Sequence, residues 1–151
     1  MWFGKKKGII AVDRSVKPNY MITVEELMSP DLENTGPAEY ELAKIRLWRH
    51  EGQTGTRSIR GTEVYEQLQK DGLLQHCLGF RDAEEIKIAL GVKAFEEQFR
   101  WNYLMLWRSV VRSHKGLLVP RLSTGCVGLT ITWRRIDEQL NHLNPTPLFP
   151  A

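Results

Sequence analysis

The chain has 151 residues, enough to build one hydrophobic core without a disulfide or a structural metal, and its 42% hydrophobic and 26% charged residues are globular proportions. That balance excludes a disordered, collagen-like or coiled-coil chain. A net charge of +3 is too small for a chain that neutralises phosphate along its whole length, so only the local distribution of charge carries functional information.

The first residues, MWFGKKKGIIAVDRS, set lysines before an apolar run. The run at 9–12 fits a short strand and is too short for the core of an export signal. Pro18 and Pro30 then punctuate residues 1–36, which read as an irregular arm ending at Pro37. Within it, Thr23 and Glu26 have capping-box spacing and predict two helical turns from Val24 to just before Pro30. Residues 38–50 (AEYELAKIRLWRH) are mostly strong helix formers behind Pro37 and predict a helix. A strand is the rival, because neither period gives a clean apolar face there.

A polar loop at 52–61 (GQTGTRSIRG) precedes a helix at 63–70 capped by Thr62, and Asp82 caps a second at 83–90. After Gly91 the spacing of Val92, Phe95, Phe99, Tyr103, Leu106 and Val110 predicts a long helix over 92–114. Trp101, Leu104, Met105 and Trp107 make its middle apolar on all sides, so it reads as the central, buried element. That window is far shorter than the roughly 20 residues that span a bilayer. A β-hairpin follows over 117–133, turning at Ser123-Thr124-Gly125, with Pro120 placing its first strand at an edge or bulge. A short helix at 137–143 and a proline-rich tail at 144–151 complete the expectation: one mainly helical α+β domain with a long central helix and a C-terminal hairpin.

Charge is segregated along this plan. Residues 62–98 carry eight acidic and four basic side chains, whereas 99–136 carry seven basic ones and no acid. A field of one sign over a helix end and a hairpin draws phosphate or an acidic protein surface. The candidate contacts are Arg108, Arg112, Lys115, Arg121, Arg134 and Arg135, with Arg100 in the apolar stretch. Trp48, Trp101, Trp107 and Trp133 each neighbour an arginine, but neighbours in sequence point apart, and the plainer reading is a buried ring beside a solvated cation. Thr54, Gly55, Arg57, Ser58 and Arg60 form a second candidate, a loop able to cradle an anion ahead of a helix N-terminus. It lacks the lysine-serine pair of a nucleotide-hydrolysing loop.

The segment DAEEIKIALGVKAFEEQFRW, with its turn glycine Gly91 and apolar Ile86, Leu90 and Val92, followed by a hairpin, resembles the winged-helix DNA-binding domains over about 63–133. That resemblance implies a second helix in the major groove and the hairpin as wing. Glu97, Arg100 and Lys87 depart from the pattern, standing where core and small residues belong.

Catalytic signals are weak. Cys77 beside His76 lies among leucines and reads as a structural thiol, and His50, His76, His114 and His142 show no metal-ligand spacing. Glu84 and Glu85, like Glu96 and Glu97, are consecutive and cannot face one another across a substrate. Two cysteines without CxxC spacing suit a reducing compartment, the cytoplasm. The sequence thus favours a non-enzymatic binding module without metal or cofactor, partnered by nucleic acid or an acidic protein and not by a membrane. A small hydrolase or transferase is the reading it favours least.

Overall fold

The computed structural model describes residues 8–151, and the lysine-rich start at 1–7 lies outside them. In chain order the backbone forms β1 (Ile9–Ala11), β2 (Glu26–Leu27), β3 (Glu39–Glu41), β4 (Arg46–Trp48) and β5 (Ile59–Arg60). Three helices follow, α1 (Gly61–Lys70), α2 (Phe80–Ala89) and α3 (Val92–Phe99). The chain then makes β6 (Leu104–Met105), β7 (Val111–Ser113), β8 (Gly116–Gly125), β9 (Gly128–Arg135), β10 (Gln139–Leu140) and β11 (Thr146–Leu148). All strand pairings are antiparallel. No helix among the described residues is long and apolar enough to cross a membrane.

This architecture overturns the expected mainly helical domain. The long helix over 92–114 does not exist: α3 ends at Phe99, and Arg100 and Trp101 take left-handed φ values of 48° and 65°. The Glu96 side chain accepts the Trp101 N–H there and helps to stop the helix. Residues 104–111, apolar but for Arg108 and Ser109, are buried throughout because they run through the interior as β6, a 3-10 turn at Trp107–Ser109 and the start of β7. A short apolar run buried on all sides has no period to read, and a strand inside a protein produces it as readily as a helix. With the second helix only eight residues long, the winged-helix order is lost as well.

Three other helices are replaced by extended chain. The turns expected from Val24 are β2, paired through Glu26 and Leu27 with Arg112 and Val111. Residues 38–50 form β3 and β4 around a 3-10 turn, so the rival strand reading applies there. Residues 137–143 hold β10 against β5. In each case long-range pairing outweighs helix propensity, which amounts to at most about 0.7 kcal/mol per ordinary residue.

The organising unit is a five-stranded sheet centred on β8, with β9 along one edge and β7 and β6 sharing the other. Gly125 faces Gly128 across a two-residue loop, Cys126 and Val127, and Gly128 sits at φ 118°, where a side chain would be strained. The turn therefore lies after Ser123-Thr124-Gly125. Pro120 is in the central strand, not at an edge. Its carbonyl accepts the Leu106 N–H, so its missing donor faces the gap where residues 107–110 leave the ladder.

Side chains alternate across the hairpin into two cores. Leu122, Ile131 and Trp133 pack with Phe80, Ile86, Phe95 and Phe99 from α2 and α3. Val119 and Ile136 pack with Val64, Leu68 and Trp107, under α1. Each fully buried large side chain contributes about 1.5–3 kcal/mol relative to exposure. Tyr65 stacks on Trp107 with centroids 5.6 Å apart, and Phe80 stacks on Trp133 at 5.5 Å.

The proline-rich tail is docked. β11 pairs with β4, Leu78 donates to Pro147, Phe149 donates to His76, and Arg46 donates to the Phe149 carbonyl. The guanidinium groups of Arg14 and Arg108 lie 5.4 and 5.5 Å from the Phe149 ring centre.

Candidate functional site

The candidate cations separate into distinct environments. Arg108 is only 4% exposed. It donates to the Leu32, Gln75 and Cys77 carbonyls and to the Thr35 hydroxyl, so its planar fork ties three segments together. Arg112, exposed on β7, faces Glu26 across the β2 ladder at 3.5 Å. Arg100 is exposed beyond the end of α3.

The loop at 52–61 closes largely on itself. Thr54 donates to the Glu51 carbonyl, Arg57 donates to that carbonyl and to the Thr54 hydroxyl, and Ser58 donates to Gln139. Gly55 takes φ 64° at the bend, and Arg60 stands exposed on β5 opposite Gln139. The hydroxyls that would cradle an anion are already engaged.

Three of the candidates meet around one cavity of about 550 Å³ at the base of the hairpin. Ile22, Leu118 and Trp133 give it an apolar floor, and His114, Lys115, Arg134 and Arg135 surround that floor together with Glu138. The tight turn from β7 into β8 carries His114 and Lys115, and the end of β9 carries both arginines. Trp133 is fixed from behind, its ring on Phe80 and its indole N–H donating 2.8 Å to the Tyr20 carbonyl.

The rim is ordered by short ion pairs. Arg134 Nε donates to Glu138 at 3.0 Å, and Arg135 donates through two nitrogens to both Asp137 oxygens at 3.1 and 3.0 Å. The Arg135 hydrogen bond holds the Asp137 carboxyl below its ordinary pKa. Such exposed pairs add little stability, typically about 0–1 kcal/mol, but they fix where the guanidinium groups stand. Lys115 has no ion-pair partner among the described residues and is the free charge of the rim.

Arg121 lies further along the hairpin on β8, its guanidinium 4.7 Å from the centre of the Tyr103 ring. Its ladder partner is Thr132, and neither Arg121 Nε nor Thr132 Oγ1 has a hydrogen-bond partner among the described residues. Nothing in the sequence marked Thr132, because a threonine between two apolar residues of a strand reads as a solvated position.

Cys77 is enclosed, its thiol donates to the Leu73 carbonyl at 3.4 Å, and burial pushes its pKa up to about 12, so the thiolate is scarce at neutral pH. Among the described residues no three His, Cys, Asp or Glu side chains gather to hold a metal.

Asp82 is not the helix cap the sequence suggested. It stands in the first turn of α2 and accepts the Gly79 N–H at 2.9 Å, while Arg14 and Tyr40 also donate to it. Glycine has no side chain to complete a capping box, so the Gly79 to Asp82 bond carried no sequence signal. Nor did the arginine and tyrosine from distant segments. Against models of protein families, curated proteins and solved structures, the chain has no match.

Proposed function

We propose that this protein is a non-enzymatic binding module for single-stranded nucleic acid, seated at the base of the β8–β9 hairpin. The observation that carries the reading is the cavity itself, an apolar floor of Ile22, Leu118 and Trp133 surrounded by Lys115, Arg134, Arg135 and His114, with Glu138 the one acid among them. Its volume of about 550 Å³ suits a small planar group such as one unstacked base. The neighbouring cations suit the phosphates on either side of that base, the combination on which single-strand binders rely. A base held in a duplex would not enter such a recess. The braced geometry of Arg134 and Arg135 reduces the ordering that binding requires.

The test is fluorescence anisotropy of the full chain with labelled single-stranded RNA and DNA of about a dozen nucleotides, across a salt series. One phosphate contact, at Lys115, gives a log–log salt slope of about −0.7, and three, with Arg134 and Arg135 exchanging their carboxylates for phosphate, give about −2. Lys115→Glu combined with Arg135→Glu is expected to weaken binding by at least about tenfold and to flatten that slope. Absence of binding at low salt, or a double variant that binds like the parent, would overturn the reading.

A further inference from the structure

We propose that Arg121, laid over Tyr103 and beside Arg134, is a phosphate-binding residue on the other face of the hairpin from Trp133. The proposal rests on the nucleic-acid reading only for the source of the phosphate. Side chains alternate along β8 and β9, so Arg121 and Thr132, which are ladder partners, share the face opposite Leu122, Ile131 and Trp133. Arg134 is two residues beyond Thr132 and lies on that same face, diagonal to Arg121.

Arg121 is distinguished by how it is held. Arg108, Arg112, Arg134 and Arg135 each have an acceptor or a carboxylate. Among the described residues Arg121 has neither, and its guanidinium carbon sits over the Tyr103 ring, 4.7 Å from its centre. The enclosed Nε is unpartnered, while the residue as a whole is half-buried, so the terminal nitrogens are the part that meets solvent. A guanidinium fixed by stacking, with its outer edge free, is pre-set for an acceptor that spans two nitrogens.

Charge selects the acceptor. Two guanidinium groups stand here against one carboxylate, Glu138, which is already paired with Arg134. Burial first, and the like charge of Arg134 second, lower the Arg121 pKa, a strain that an arriving anion relieves. A cation is repelled, and an apolar group leaves the free edge without an acceptor. A phosphate supplies both the charge and several acceptor oxygens. Arg134 also lines the cavity, so at the β9 edge it stands between the Arg121 site on one face and the recess on the other.

The experiment follows the arginine Nε–Hε resonances of the full-length protein by NMR while inorganic phosphate is added, with chloride at matched ionic strength as control. The Arg121 signal, assigned by its loss in Arg121→Lys, is expected to shift saturably with phosphate and not with chloride. Tyr103→Leu, checked for folding by circular dichroism, is expected to weaken that titration by at least about fivefold. Arg121→Lys is expected to weaken oligonucleotide binding too, since it keeps the charge and loses the fork. An Arg121 signal that ignores phosphate, or that moves equally with chloride, overturns the inference even if oligonucleotides bind. A saturable shift in a protein that binds no oligonucleotide keeps this site and rejects its nucleic-acid source.

Discussion

Arg14 grips the enclosed carboxylate of Asp82 through two nitrogens, at 2.9 and 3.2 Å, joining the segment before β2 to the first turn of α2. Tyr40 adds a hydroxyl at 2.7 Å and the Gly79 backbone an N–H at 2.9 Å, so Asp82 accepts four hydrogen bonds with no exposure to water. Removing the charge leaves Arg14, itself only 12% exposed, facing an amide. Asp82→Asn is expected to destabilise the fold by about 3–5 kcal/mol, the usual cost of breaking a buried pair from one side. A urea titration with an unchanged slope and a midpoint close to the parent's would contradict this.

The two cysteines differ in reach. Cys126 is exposed in the loop between β8 and β9, and Cys77 is shielded with its pKa near 12. A thiol-specific disulfide reagent at pH 8 is expected to modify one cysteine in the native protein and two after denaturation. Cys126→Ser should leave a native protein that does not react. Stability also carries the sign of the Cys77 shift. The folded state retains the proton up to about pH 12, whereas an unfolded thiol loses it from about pH 8.5, so stability falls as pH rises through that window.

Glu33 accepts the Tyr20 hydroxyl, and burial raises its pKa despite that bond and the nearby Arg108 charge. A raised carboxyl favours its neutral form in the folded state. Its stabilising contribution is therefore complete below about pH 4.3 and is lost as pH rises through the folded value. Glu33→Gln keeps an acceptor for Tyr20 and removes the buried charge. It is expected to melt at a higher temperature than the parent at pH 7 to 8, with the gain vanishing near pH 4. Equal melting curves at both pH values would rule this out.

Gly61 opens α1 directly against the chain after β9. A Cβ there would come within 2.3 Å of the Ile136 carbonyl and 3.1 Å of the Trp107 ring. Alanine gains about 1 kcal/mol of helix propensity over glycine, while overpacking against backbone costs about 1–3 kcal/mol or more. Gly61→Ala is expected to lower stability, because the obstructing atom belongs to the main chain and cannot rotate away. A higher melting temperature would show that β9 shifts freely relative to α1.

What the sequence disclosed follows from what each segment needed from the rest. Helices α1 and α2 carry their own signals, Gly72 beyond one and, for the other, Asp82, which reads as its cap and lies in its first turn. Residues 104–111 carry none, because being buried on every side erases periodicity, and the strands at their two ends are imposed by β8. The charge block was visible, and so were Lys115, Arg134 and Arg135 within it. The interior position of Arg108 was not, since its partners lie at Leu32, Thr35, Gln75 and Cys77. The cavity floor joins Ile22 to Leu118 and Trp133, a meeting that only the sheet order creates.

The docking of residues 146–149 sets a timetable for folding. β4 finds its partner strand about a hundred residues later, and the Phe149 ring completes the space beside Arg14 and Arg108. A nascent chain that has not yet released Thr146 leaves β4 unpaired, and the Cys77 region lacks its bridge to Leu148. Synthesis can produce α1, α2 and the hairpin earlier, but the native pairing of β4 must wait for residues 146–149. The loop closures involved are long, which slows folding and leaves strand edges open meanwhile. Ribosome-stalled chains ending before residue 146 should therefore remain sensitive to protease, and protection should arrive late and in a single step.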